Sequence, residues 1–144
     1  MHYYLSIGAN LGDREHTIRT AITQIEQQIG HVLCCSSFYY SEPWGFESVH
    51  PFCNLCCAVE SKLAPMDVLH STQAIERALG RTHKSQNGQY SDRVIDIDLI
   101  RAFDHGEEIQ VNPPELTIPH RLWQERDFVR VPLAEIMSKT KNNT

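Results

Sequence analysis

Arg93-Val94-Ile95-Asp96-Ile97-Asp98-Leu99-Ile100 is a run rich in β-branched residues and bounded by polar sequence, a composition that predicts a strand. Successive strand side chains point to opposite faces. Ile95, Ile97 and Leu99 therefore share one face, which reads as the core side. Asp96 and Asp98 share the other, with Val94 and Ile100. Two carboxylates so close repel each other unless a cation lies between them. Magnesium suits the pair, because it takes one or two carboxylates and leaves positions for substrate phosphates. Taken alone, a D-x-D reads more readily as two surface aspartates on a solvated sheet face, since so short a motif matches by chance.

The elements on either side of this strand give the architecture. Tyr3 to Ile7 predicts a first strand, and Gly8 to Arg14 a glycine-bearing loop with Asp13 as helix N-cap. That loop lacks the Gly-Lys-Ser/Thr ending of a phosphate-cradling loop. Ile18, Ala21, Ile22, Ile25 and Ile29 follow helical spacing up to Gly30. His31 to Tyr40 and Phe52 to Lys62 predict two more strands, separated by the irregular segment from Ser41 to Pro51. Pro65 suits the first turn of a second helix, whose buried stripe is Val68, Leu69, Thr72, Ile75 and Leu79. Arg81 to Asp92 is a polar loop, and the Asp96 strand extends from Arg93 to Phe103. Short strands are expected at Glu107 to Gln110 and Leu116 to Ile118, and a short helix at Arg121 to Gln124. A last helical turn is expected from Pro132. The order β-α-β-β-α-β is the ferredoxin-like arrangement, an α+β fold: an antiparallel sheet with helices on one face and a small C-terminal addition. Its other face is expected to carry a site.

Composition narrows the function. A chain of 144 residues is one domain, expected over 1–138, with 139–144 as a frayed tail. A net charge of −5 gives no electrostatic footprint for nucleic acid, so an anionic ligand must be held locally by a few basic groups or a metal. No apolar run approaches the ~20 residues needed to span a bilayer. The first residues read as a strand rather than a signal peptide, which places the chain in the cytoplasm as an expectation. Cys34, Cys35, Cys53, Cys56 and Cys57 lie in apolar strand-like segments, and buried free thiols explain them better than zinc or redox chemistry.

Four segments, in order and with family-like spacing, resemble the 6-hydroxymethyl-7,8-dihydropterin pyrophosphokinases of folate synthesis. They are Ser6 to Arg14; Ser36-Ser37-Phe38-Tyr39 through Glu42-Pro43-Trp44-Gly45 to Phe52-Cys53-Asn54; Ile75-Glu76 with Gly80-Arg81 leading to Arg93 and Asp96-Ile97-Asp98; and Ile118-Pro119-His120 with Arg126, Phe128 and Pro132-Leu133. Any one is weak, and together they are specific.

The resemblance implies transfer of the β,γ-diphosphate of ATP to the pterin hydroxymethyl group with release of AMP. It implies two Mg2+ ions at Asp96 and Asp98, so that no side-chain base is required. Charge neutralisation and positioning are what such transfers need. It assigns Ser41, Trp44, Phe52, Asn54 and Phe128 to the pterin, with the phenylalanines stacking on the ring and Asn54 reading its amide edge. It assigns Glu76, Arg81, Lys84, Arg93, Ile97, His120, Arg121 and Arg126 to the nucleotide side, with Arg81 and Arg93 also catalytic; guanidinium groups suit phosphate because they stay charged and present paired donors. The loop His83 to Ser91 would be a mobile lid over the nucleotide. Hydrophobicity alone would place both phenylalanines in an ordinary core and each basic residue on a solvated surface.

The chain departs from the family at a few places. His83 stands where arginine is common and cannot make the same bidentate contact. The lid is a residue longer, Ser91-Asp92 adds a negative charge beside Arg93, and Glu42 adds another near the pterin loop. An active enzyme with weakened nucleotide binding is expected, acting as a monomer on ATP and pterin. One competing reading is a non-catalytic pterin- or nucleotide-binding module with an impaired lid. Another is a D-x-D nuclease or nucleotidyl transferase, which the acidic charge disfavours.

Overall fold

The computed structural model describes residues 1–10, 12–41, 51–80, 95–112, 115–121 and 123–141. Its elements are β1 (His2–Ala9), α1 (Arg14–Gln28), β2 (His31–Cys35), β3 (Tyr39–Ser41), β4 (Phe52–Glu60), α2 (Pro65–Ala78), β5 (Asp96–Asp104), β6 (Glu107–Glu108) and α3 (Asp127–Lys141). The strands form one antiparallel sheet in the order β2-β4-β1-β5-β6, with β3 also paired to β4. This is the predicted α+β arrangement. The predicted second strand is two pieces, because the chain leaves the sheet after Cys35 and rejoins at Tyr39.

Alternation along the three central strands divides the sheet into two faces. Tyr3, Leu5, Ile7 and Ala9 of β1 join Cys53, Leu55, Cys57 and Val59 of β4 and Ile97 and Leu99 of β5 on one face. Ile18, Ala21 and Ile25 of α1 and Val68 and Ile75 of α2 cover that face. Each Ile, Leu or Val among them, fully withdrawn from water, stabilises by roughly 1.5–3 kcal/mol. The cap begins α1 as predicted: the Asp13 carboxylate accepts from the His16 N–H at 3.2 Å. Pro65 opens α2 at its first turn, where its missing N–H costs nothing.

The opposite face differs from expectation. The C-terminal addition is a 15-residue helix, α3, and not one turn starting at Pro132. Val129, Leu133 and Ile136 pack against Tyr4, Cys56, Ala58 and Ile100 in a second core. Two helices therefore lie on one face and the third on the other, covering the end of the sheet that carries these apolar residues. Pro132 sits inside α3 and is buried there. Arg101 fastens this corner: it pairs with Glu108 at 2.7 Å and its guanidinium lies 5.1 Å from the Trp123 ring.

Candidate active site

The end of the second face beyond α3 is defined by register. β1 lies between β4 and β5, and Gly8 is the partner of both Asn54 and Asp96. One row across the sheet thus reads Asn54–Gly8–Asp96. The next reads Cys56–Ser6–Asp98. With strands ~4.8 Å apart, the backbones at Asn54 and Asp96 are about 10 Å apart, and Asp96 and Asp98 are about 7 Å apart along their strand. Both aspartates are half-buried and, as their parity predicted, face away from Ile97 and Leu99.

Gly8 is what lets this row close. A Cβ there would lie 2.5 Å from Asn54 Oδ1 and 3.7 Å from Phe52 Cδ1. The buried Asn54 side chain therefore leans over the Gly8 backbone, and its Nδ2 donates to Ser41 Oγ at 3.1 Å. Ser41 is itself the register partner of Phe52. Three residues expected to meet a flat heterocycle, Ser41, Phe52 and Asn54, are thus one contiguous group. Phe128, in the first turn of α3, stands over the same face, and the Arg126 guanidinium lies 5.8 Å from its ring.

Beside Asp98 opens a cleft of about 540 Å³ lined by Leu69, Ile97, Asp98, Leu99, Glu115, Leu116, Thr117, His120, Arg121 and Arg126. It gathers the predicted Ile97, His120, Arg121 and Arg126. Arg126 is buried, at 5% exposure, so its charge is placed rather than solvated. Burial pushes the His120 imidazole below its usual range; the Arg126 charge adds to that shift and Asp96 opposes it. Glu76 is also buried, and its Oε2 accepts from the Ile97 N–H at 2.7 Å. It thereby ties α2 to the residue between the two aspartates. Leu69, Leu99, Glu115, Leu116 and Thr117 were not predicted here. Leu69 falls in the apolar stripe of α2, and stripe membership does not distinguish a core position from a cleft wall.

The donor set fits magnesium. Asp96 and Asp98 offer hard oxygens, and among the described residues no group of three or more His, Cys, Asp or Glu could hold a metal ion. A cation here would depend on phosphate oxygens and water for its remaining positions, which is how magnesium is usually bound. Trp44, Arg81, Lys84 and Arg93, with the departures at Glu42, His83, Ser91 and Asp92, lie outside the described residues.

Fold and site together define an α+β protein in which Ser41, Phe52 and Asn54 adjoin the Asp96–Asp98 pair and a cleft that holds Arg121 and Arg126. Comparison with known proteins is consistent with this. The model of the 7,8-dihydro-6-hydroxymethylpterin-pyrophosphokinase (HPPK) family matches residues 4–138. A 2-amino-4-hydroxy-6-hydroxymethyldihydropteridine pyrophosphokinase of Porphyromonas gingivalis is 52% identical over 134 residues, covering 92% of this chain and 88% of that one. The protein of that name from Bacillus subtilis is 35% identical over 139 residues, covering 96% and 79%. The folic acid synthesis protein fol1 of Schizosaccharomyces pombe is 37% identical over 131 residues, which make up 17% of its length. The chain belongs to the HPPK family.

Proposed function

We propose that this protein transfers the β,γ-diphosphate of ATP to the hydroxymethyl group of 6-hydroxymethyl-7,8-dihydropterin, releasing AMP, as a step of folate biosynthesis. The observation that supports the reading is the row Asn54–Gly8–Asp96, which brings a side-chain amide and a carboxylate to neighbouring positions on one face of the sheet. The hydroxymethyl oxygen attacks the β-phosphorus, and the bond from that phosphorus to the α,β-bridging oxygen breaks.

Phe52 and Phe128 would hold the pterin by stacking, and Asn54, oriented by Ser41, would read its amide edge. Arg126 and Arg121 would bind phosphate oxygens in the cleft. Its burial would let Arg126 act at full strength, since charge in a water-poor site is weakly screened. His120, disposed to the neutral form, would serve as a hydrogen-bonding partner rather than as a charge. Ile97 would line the nucleotide pocket, and Glu76 would hold the Asp96–Asp98 strand in place from behind. Asp96 and Asp98 would hold two magnesium ions bound with ATP, which would supply neutralisation of phosphate charge and acidity at the pterin hydroxyl. Arg81, Lys84 and Arg93 complete the proposed phosphate contacts. The partners proposed are ATP and pterin alone, the working unit a monomer in the cytoplasm. Among the described residues no helix is long and apolar enough to cross a membrane.

Two variants separate the halves of this site. Asn54→Ala should raise the KM for pterin by about 10-fold or more, the loss of one or two buried hydrogen bonds, and still release AMP at saturating substrate. Asp98→Ala should abolish AMP release while pterin still binds, as followed by its fluorescence. An Asp98→Ala protein with undiminished turnover would overturn the assignment.

A further inference from the structure

Cys35 and Cys57 are register partners on neighbouring antiparallel strands. The adjacent Ser36 N–H donates to the Cys56 carbonyl at 2.8 Å. That bond, with the Cys56 N–H donating to Ser36 Oγ at 3.0 Å, puts Ser36 and Cys56 at the hydrogen-bonded position of the ladder and leaves Cys35 and Cys57 at the close, non-hydrogen-bonded one. Such pairs have Cα atoms about 4.5 Å apart, inside the ~4.4–6.8 Å window for a disulfide. Both side chains lie on the α1/α2 face of the sheet, Cys57 in the core and Cys35 half-buried on the edge strand β2.

The other thiols do not compete. Cys53 shares the face but lies four residues from Cys57 along β4, about 13 Å away. Cys34 and Cys56 project to the opposite face, where Cys34 pairs with Ala58 and is only diagonal to Cys56, a separation of roughly 7–8 Å. The facing Cys57 S–H favours the Cys35 thiolate and lowers that thiol's pKa, while the same interaction and burial push Cys57 up. A thiol that is both accessible and easier to ionise is the attacking one.

We propose that Cys35 and Cys57 form a dithiol–disulfide site that reacts with low-molecular-weight disulfides, Cys35 attacking and Cys57 resolving. The Cys35 thiolate attacks one sulfur of R–S–S–R, breaking that bond and releasing R–S⁻, which takes up the proton Cys35 gave to solvent. Cys57 then loses its proton and attacks the Cys35 sulfur, expelling the second R–S⁻, which leaves as R–SH. Two protein thiols lose two electrons and two protons, and one small disulfide becomes two thiols. The product staples edge strand β2 to β4.

The test is incubation of the full chain with oxidised glutathione, alkylation of remaining thiols under denaturing conditions, and peptide mass mapping. The expected result is one internal disulfide joining Cys35 to Cys57, alkylation of Cys34, Cys53 and Cys56, and reversal by dithiothreitol. Cys35→Ala should form no internal disulfide, and Cys57→Ala should retain glutathione on Cys35. If Cys57→Ala fails to fold, the wild-type map and Cys35→Ala decide. Five alkylated thiols in the treated wild type, a bridge between any other pair, or an unresolved glutathione adduct at Cys35 would overturn the proposal.

Discussion

Gly8 illustrates how much of the site depends on what a residue lacks. Read as sequence, Gly8 begins a loop; in the structure it is still strand, flanked by Asn54 and Asp96. Gly8→Ala would place a methyl 2.5 Å from Asn54 Oδ1 and displace the amide. The prediction is a rise in pterin KM of at least about 10-fold, equal to ~1.4 kcal/mol, with a smaller change in kcat; an unchanged KM in steady-state kinetics would count against this packing. At the same scale, Asp96 and Asp98 were legible because strand alternation is strict: a two-residue spacing fixes a shared face before any contact is known. Glu76 was legible only through family resemblance. Nothing in the periodicity of α2 says that one polar residue in its buried stripe accepts from a strand N–H.

At the level of elements, Glu76 couples α2 to β5. Glu76→Ala would leave the Ile97 N–H buried without its carboxylate acceptor, and a buried donor so stranded costs about 1–3 kcal/mol. Glu76→Gln keeps an acceptor and should recover most of that loss. Urea denaturation of the two variants checks this, and equal stability of wild type and Glu76→Ala would refute it. α3 is the element that sequence reading undersized. Pro132 marks a helix start in most contexts, and here it lies in the interior, because packing of Val129, Leu133 and Ile136 outweighs one lost hydrogen bond. A reading that expected one covered face had no use for a second apolar stripe. Leu133→Ala should cost about 2–5 kcal/mol, visible as a lower urea midpoint. Because α3 also carries Phe128, pterin binding should weaken in parallel.

The whole molecule carries its stability with several protonated groups that resist ionisation. Burial pushes Tyr3 up to about 12, Cys53 to about 11 and Cys56 to about 12. In the unfolded chain these groups lose their protons at lower pH, so above that point the unfolded state binds fewer protons than the folded one. Stability is therefore complete below the unfolded values, 9.0 for the thiols and 10.0 for the tyrosine, and declines as pH rises toward the folded ones. Urea midpoints measured from pH about 8 to about 11 should hold at first and fall once the pH passes the unfolded thiol value; a profile flat throughout would contradict the burial described.

At this scale, too, the order of elements along the chain followed from composition and apolar periodicity, and the placing of two helices on the first face from the β-α-β-β-α-β arrangement that order matches. The cleft did not, because it is assembled from segments far apart in the chain, Leu69 of α2, Ile97 to Leu99 of β5 and Glu115 to Arg126. Periodicity reports which side of an element is buried, and says nothing of which two edges leave a gap between them.

Diphosphate transfer is proposed for the end of the second face beyond α3, with Asp96 at its phosphate end. Chromatography of products from ATP, magnesium and 6-hydroxymethyl-7,8-dihydropterin tests it most directly, with Asp96→Ala in parallel. The wild type should give AMP and pterin diphosphate in equal amounts, and a folded Asp96→Ala protein neither. ADP with a pterin monophosphate, or turnover that survives loss of Asp96, would contradict it.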